Sequence, residues 1–233
     1  MGRAPRKATG AQTRDRILDM ACSLFNERGF AQVATRSIAD AVGINEGNLY
    51  YYFKTKEAIA LALFDRVDAR ATVLLGDETA AHEGLAAYAD LLAQWFAMNW
   101  SYRFLFRDID GLSFAAPALR LPLRRLSTRT HRTMQRRVDA LRNENMLSLT
   151  DIQRDHLLTN VWIVGSYWMN YLTLHRGVSR IRQEHMAWGL AQIRSLYEPY
   201  LTADAQLLIA VLLENGEAAA TIMARYNQLI VSH

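Results

Sequence analysis

The stretch TRSIADAVGINEGNLYYYFKTK, Thr35 to Lys56, decides the fold of this chain. It reads as two short helices joined by a tight turn. Thr35 is expected to be the N-cap of the first, its hydroxyl satisfying an orphan amide of the opening turn. Ile38, Ala39 and Val42 fall on one helical face. Gly43 stands where the chain must turn, a place where a positive φ is cheap only for glycine. Ile44 fills the corner, and Asn45 is placed to cap the second helix. Leu49, with Tyr52 or Phe53, points that helix back onto the first, and Ala39 is small where the two must cross. This pattern of small residue, glycine and later apolar residue belongs to a helix-turn-helix, whose second helix enters the DNA major groove. Ordinary helical corners share the spacing, so the surroundings must decide.

The surroundings are specific. Gly47-Asn-Leu-Tyr-Tyr-Tyr-Phe-Lys-Thr-Lys-Glu57 sets three tyrosines beside two lysines at a helix end. The helix before the motif reads Ile17-Leu-Asp-Met-Ala-Cys-Ser-Leu-Phe-Asn-Glu-Arg-Gly-Phe30. Both runs resemble the TetR family of bacterial transcriptional regulators, and the resemblance covers residues 11 to 60. It implies that Thr35, Tyr50 and Lys56 hold DNA phosphates, and that Arg36, Glu46, Gly47, Asn48 and Tyr51 face bases. The chemistry agrees: Arg36 can pair with guanine O6 and N7, and Asn48 with adenine. Gly47 adds no side chain and lets the backbone approach. Glu46 is less expected near phosphates; it either accepts from cytosine N4 or repels wrong sites.

Composition bounds the class. The chain has 233 residues, 51% hydrophobic and 21% charged, which is globular and ample for a buried core. Net charge is only +4, but all three lysines (Lys7, Lys54, Lys56) fall in the first quarter. Cys22 is the only cysteine, so no intrachain disulfide forms; it reads as a buried inert thiol. No apolar run reaches membrane-spanning length and the N-terminus lacks a signal peptide's apolar segment, so the expected location is cytoplasmic, with no membrane partner.

Working outward, residues 1–10 carry Pro, Gly and three positive charges and read as a basic flexible arm. Residues 11–58 form the DNA-binding domain, its first helix running from Gln12 to Arg28 and ending at Gly29. A fourth helix begins near Thr55 and reaches Leu75. With no flexible linker in sight, the domain boundary falls inside it, so that a rigid helix shared by both domains transmits movement. Residues 59–201 form the second domain. Its helices are expected at 81–100, 102–112, from Pro117 to Asn145 with a bend at Pro122, from a Thr150–Gln153 capping box to His175, and from a Ser179 cap to Tyr197. Residues 202–233 add a further helical segment, from Ala203 to Ile230, expected to bury against the dimer seam. The arginines of the Pro117–Asn145 helix, Arg120 to Arg137, read as a solvated outer face. The fold class is all-α: an N-terminal three-helix helix-turn-helix domain and a larger C-terminal helical ligand-binding and dimerisation domain.

One helix-turn-helix reads only a few base pairs, so such proteins bind palindromic double-stranded operators as dimers. The resemblance implies a homodimer through the eighth and ninth predicted helices, and a small-molecule effector in the second domain. Helix eight suits this, being apolar over more than one face. Candidate pocket residues are Trp95, Asn99, Trp100, Phe104, His131, Met134, Trp168 and Tyr171, a lining for a mainly apolar ligand held by few hydrogen bonds. Catalytic and metal motifs are absent: no His pair at i, i+4, no nucleophile elbow, no phosphate-cradling glycine loop, and an incomplete calcium loop at Asp108–Gly111. No cofactor and no enzyme activity are expected. The expected function is a sequence-specific repressor released from its operator by a ligand. The alternative is a ligand-independent, DNA-bound interaction factor of the nucleoid-occlusion type.

Overall fold

The computed structural model describes residues 10–76, 84–107 and 109–214, with side chains up to residue 209. Among the described residues every regular element is helical, and the only extended pairing is an isolated bridge between Leu147 and Leu201. Residues 1–9 of the expected basic arm, Asp108 of the incomplete calcium loop and the chain beyond Glu214 lie outside the described residues, and Gly10, expected in the arm, opens the first helix. The chain forms two compact units: residues up to Ala69 with Tyr102–Arg124, and Arg70–Ser101 with the residues from Arg125 on.

The first unit contains α1 (Gly10–Arg28), α2 (Thr35–Val42), α3 (Glu46–Tyr52) and most of α4 (Lys56–Leu75). Ile17, Leu18, Ala21 and Phe25 of α1 recur at helical spacing and are wholly buried, as are Ile38, Leu49, Ile59, Leu63 and Val67. Each of the larger side chains among these contributes roughly 1.5–3 kcal/mol by leaving water. Gly43 closes α2 at φ +76°, and the following Ile44 amide donates to the Ala39 carbonyl at 3.0 Å, which ends the helix and turns the chain. Arg16 donates to the last α2 carbonyl, Val42, at 2.7 Å. Arg66 of α4 bridges Asp15 (2.8 Å) and Asp19 (2.6 Å) of α1.

The first unit also holds α6 (Phe104–Arg107), α7 (Ile109–Ala115) and a single 3-10 turn at Pro117–Leu119. The sequence assigned this stretch to the second domain, as one helix from 102 to 112. The Phe104 ring instead packs tilted against the Phe25 ring, with centroids 5.2 Å apart, and its amide donates to the buried Asn26 side chain at 3.0 Å. That bond gives the buried Asn26 carbonyl oxygen a backbone donor. The expected boundary therefore does not divide the chain once: the first unit takes back a later segment.

The second unit comprises α5 (Gly84–Ser101), α8 (Arg120–Asn143) from Arg125 on, α9 (Asp151–His175), α10 (Met186–Tyr197) and α11 (Ala203–Glu214). Pro117 opens its 3-10 turn at N1, as its ring prefers, and Pro122 lies in the first turn of α8, where its missing amide has no helical partner. The Thr150–Gln153 capping box is formed on both sides, at 3.3 and 2.8 Å. Ser179 caps no helix. The chain stays irregular to Arg182, whose amide donates to His185 Nδ1 at 3.1 Å within a 3-10 turn (Gln183–His185), and α10 starts only then. Beyond it, Ser148 donates to Tyr200 at 2.8 Å and the Thr202 amide to Met146 at 3.2 Å, a short clasp from which α11 departs. Most of the further helical segment expected to bury against the dimer seam lies outside the described residues; Leu207, near the start of α11, is 67% exposed in the single chain.

Candidate nucleic-acid interface

α2 and α3 have one face each in the core and one in solvent. Ile38, Ala39, Val42 and Leu49 are buried, while Arg36, Gly47, Asn48, Tyr50 and Tyr51 are exposed. Asn45 caps α3 as its sequence position implied: its side-chain oxygen accepts from the Asn48 amide at 2.7 Å. Tyr51 is the most open aromatic of the motif, at 76%. Tyr52 is half-buried, edge-on to Tyr51. A Cβ placed on Gly47 would touch only the Asn45 side-chain oxygen, at 3.4 Å, so nothing inside the described fold demands glycine there.

Thr35 departs from its expected part. Ala34 is the N-cap of α2 and makes no side-chain cap bond. The Thr35 hydroxyl instead donates across to Glu46 Oε1 on α3 at 2.9 Å, and the Tyr50 hydroxyl lies 3.1 Å from it. Its spacing before an apolar run made Thr35 look like a cap; the hydroxyl is drawn away because α3 brings a carboxylate within reach.

Lys56 opens α4 with its ammonium against backbone. Nζ donates to the carbonyls of Phe30 (2.9 Å), Ala31 (3.3 Å) and Val33 (2.9 Å) and sits 4.5 Å from the Phe30 ring centroid. Partial burial holds its pKa below the usual lysine value. All three of its hydrogens have an acceptor in the α1–α2 connection. Lys54, two residues earlier in the chain and passed over as a contact by the sequence reading, is exposed. Arg14, also passed over, lies 5.0 Å above the Phe53 ring. An arginine facing an aromatic across the sequence has no local periodic signal.

The candidate pocket residues of the second domain separate. Phe104 belongs to the first unit. His131 and Tyr171 are exposed, Tyr171 being stacked between His175 (5.0 Å) and Trp188 (5.7 Å). Trp100 and Trp168 do meet, with centroids 6.2 Å apart, and Phe96 lies 5.2 Å from Trp168. Met134 and Trp168 are buried, Trp95 and Asn99 half-buried. The Asn99 side-chain oxygen is buried and has no hydrogen-bond partner among the described residues. Cys22, read as inert, has its thiol pushed up to about 12 by burial, far from a reactive thiolate. Among the described residues no helix is long and apolar enough to cross a membrane, and no cluster of metal-ligating side chains occurs.

Comparison with known proteins agrees with this geometry. Residues 17–63 match a family described as bacterial regulatory proteins of the tetR family, and residues 69–208 match one described as bacterial transcriptional repressor, TetR. A stretch of 47 residues is 45% identical to the HTH-type transcriptional repressor KstR2 of Mycolicibacterium smegmatis, covering 20% of this chain and 23% of that protein. Another of 65 residues is 35% identical to the nucleoid occlusion factor SlmA of Haemophilus ducreyi, covering 28% and 32%. The chain thus matches only about a quarter to a third of the length of these curated relatives. A crystal structure of a TetR-family transcriptional regulator from Marinobacter aquaeolei VT8 superposes with a TM-score of 0.76 at 28% identity, over 87% of this chain and 98% of that one. With both halves of the chain matched in this way, it belongs to the TetR family of bacterial transcriptional regulators.

Proposed function

We propose that this chain is a homodimeric, cytoplasmic repressor that binds a palindromic operator and leaves it when a small, mainly apolar ligand binds. The carrying observation is the two-sided build of α2 and α3: a back of Ile38, Ala39, Val42 and Leu49 buried in the core and an exposed front of Arg36, Gly47, Asn48 and Tyr51. Arg36 and Asn48 read base edges, Thr35 and Tyr50 grip phosphates, and Gly47 lets the backbone close on the groove. Lys54 supplies the exposed ammonium at the end of α3.

Dimerisation through α9 and α10 is supported by the solvent face of α9. Trp162, Ile163, Tyr167, Tyr171 and Leu174 are each between 39% and 71% exposed in the single chain, and four of them repeat at three- and four-residue spacing. A two-fold dimer through such a stripe carries two recognition helices, the number a palindromic operator requires. For the effector, the buried Asn99 oxygen, without a hydrogen-bond partner among the described residues, supports an apolar ligand that carries a hydrogen-bond donor. α4 contributes residues to both units and is the connection through which a ligand's preference for one half-site spacing acts.

A second reading, a DNA-bound interaction factor without an effector, is favoured by the tight filling around Trp168, where Gly189 admits no side chain between Phe96 and the indole. The experiment is selection of bound sequences from random double-stranded DNA by the purified protein at near-physiological salt, then a screen for small molecules that release the selected duplex. A palindrome with half-sites a turn apart is the expected result; no enriched sequence would count against a DNA regulator of this kind. A palindrome with no releasing ligand would favour the second reading.

A further inference from the structure

We propose that the Glu46 carboxylate is an internal stand-in for a DNA phosphate, and that it makes the phosphate grip of Thr35 and Tyr50 depend on the base sequence. The proposal rests on the DNA-binding reading above. Thr35 opens α2, while Glu46 and Tyr50 lie one turn apart on the same face of α3. The Thr35 hydroxyl donates to Glu46 Oε1 at 2.9 Å. The Tyr50 hydroxyl lies 3.4 Å from that same oxygen and 3.1 Å from the Thr35 hydroxyl.

Each hydroxyl has one hydrogen to give. The Thr35 hydrogen goes to the carboxylate, and the Tyr50 hydrogen goes to the carboxylate or to Thr35. Both are therefore spent inside the triangle when no DNA is bound. A phosphate oxygen is an acceptor only, as is a carboxylate oxygen, and both are anionic. A phosphate can be held by Thr35 and Tyr50 together only if the Thr35 hydrogen leaves Glu46 and the Tyr50 hydrogen leaves the triangle. The carboxylate then stands beside a phosphate without its donors, which is costly for two like charges. Glu46 needs a new donor, and the cytosine N4 amine is the one a major-groove edge offers. Where a cytosine is in reach, the exchange costs little. Elsewhere Glu46 keeps its hydroxyls and the phosphate grip is withheld. Glu46 thus sets specificity by competing for the donors, not merely by carrying a charge near DNA.

The test is a double-mutant cycle on the full chain, read as equilibrium binding to a random-sequence duplex and to the selected operator at one fixed salt concentration. Glu46→Gln is expected to tighten binding to the random duplex by about tenfold, equivalent to roughly 1.4 kcal/mol, and to the operator by less, so that the specificity ratio narrows. In a Thr35→Val, Tyr50→Phe background the same substitution is expected to gain no more than about twofold, because the donors competed for are gone. Glu46→Asp provides a second reading of the same point. It keeps the charge but draws the carboxylate back by one methylene, and is expected to bind random duplex more tightly than the parent chain. Equal gains in both backgrounds, no gain from Glu46→Gln, or no change from Glu46→Asp would each overturn the proposal while leaving the DNA-binding reading intact. Failure of every variant and of the parent chain to bind duplex DNA would overturn both.

Discussion

Lys56 and Phe30 are joined twice: the Lys56 ammonium donates to the Phe30 carbonyl at 2.9 Å and lies 4.5 Å from the centre of its ring. With the Ala31 and Val33 carbonyls also on the same nitrogen, the lysine ties the start of α4 to the connection that leads into α2. The family resemblance assigns this residue to a phosphate. The geometry gives its hydrogens to the protein.

Lys56→Ala is therefore expected to lower stability by roughly 1–2 kcal/mol, the low end for charge-assisted hydrogen bonds because the group is only partly buried. Denaturant unfolding measures this. The logarithmic salt dependence of DNA affinity is expected to stay unchanged. A fall of about one in that slope would show instead that the ammonium reaches a phosphate.

Arg36→Ala is expected to relax base choice at one position per half-site, by roughly 1–3 kcal/mol of lost discrimination, with little effect on stability because the side chain is exposed. Sequence selection with the variant checks this. Selectivity equal to that of the parent chain would remove Arg36 from the reading set.

Gly189→Ala is expected to destabilise the second unit by roughly 1–3 kcal/mol, as overpacking does. The added Cβ would lie 2.7 Å from Phe96 Cζ and 2.8 Å from Trp168 Cδ2, ring atoms of two buried side chains, so something must shift. A shift in tryptophan emission together with a lower unfolding midpoint is the signature; an unchanged midpoint would mean that α10 slides freely.

Ile163→Asp is expected to convert dimer to monomer without unfolding the chain. Ile163 is 49% exposed in the single chain, so a carboxylate there costs little until a partner covers it. Light scattering on the eluted protein reads the mass. A dimer that survives this change and Tyr167→Asp would place the interface elsewhere.

Tyr88 and Tyr197 share a buried 2.7 Å hydrogen bond, and burial raises both phenols, Tyr197 to about 12 and Tyr88 well above its usual value. A phenol whose folded pKa exceeds its unfolded value of about 10 stabilises the neutral form. The contribution is full below pH 10 and is lost as pH rises from there through about 12, at up to about 1.4 kcal/mol per pH unit for each titrating group. Replacing both by Phe is expected to flatten this alkaline loss at small cost near neutrality, since both partners are removed together. Unfolding curves between pH 9 and pH 11.5 give the comparison.

Local chemistry determined much of this molecule from the sequence. Ile38, Ala39, Gly43, Asn45 and Leu49 specify the helix-turn-helix within fifteen residues, because glycine's positive φ, the Asn45 cap and helical periodicity are all short-range. The Thr150–Gln153 box and the helix it starts were legible for the same reason. Only the tertiary structure decided what long-range contacts control. It took Phe104 out of the second domain, because Phe25 and Asn26, far back in the chain, offered a ring and a buried acceptor. Thr35 was turned from its own helix to Glu46, and the hydrogens of Lys56 went to three carbonyls at the end of α1. A cap or a turn is settled by neighbours a few bonds away; which acceptor wins a hydroxyl or an ammonium is settled by whatever the fold brings within 3 Å, and that distance is not written in spacing.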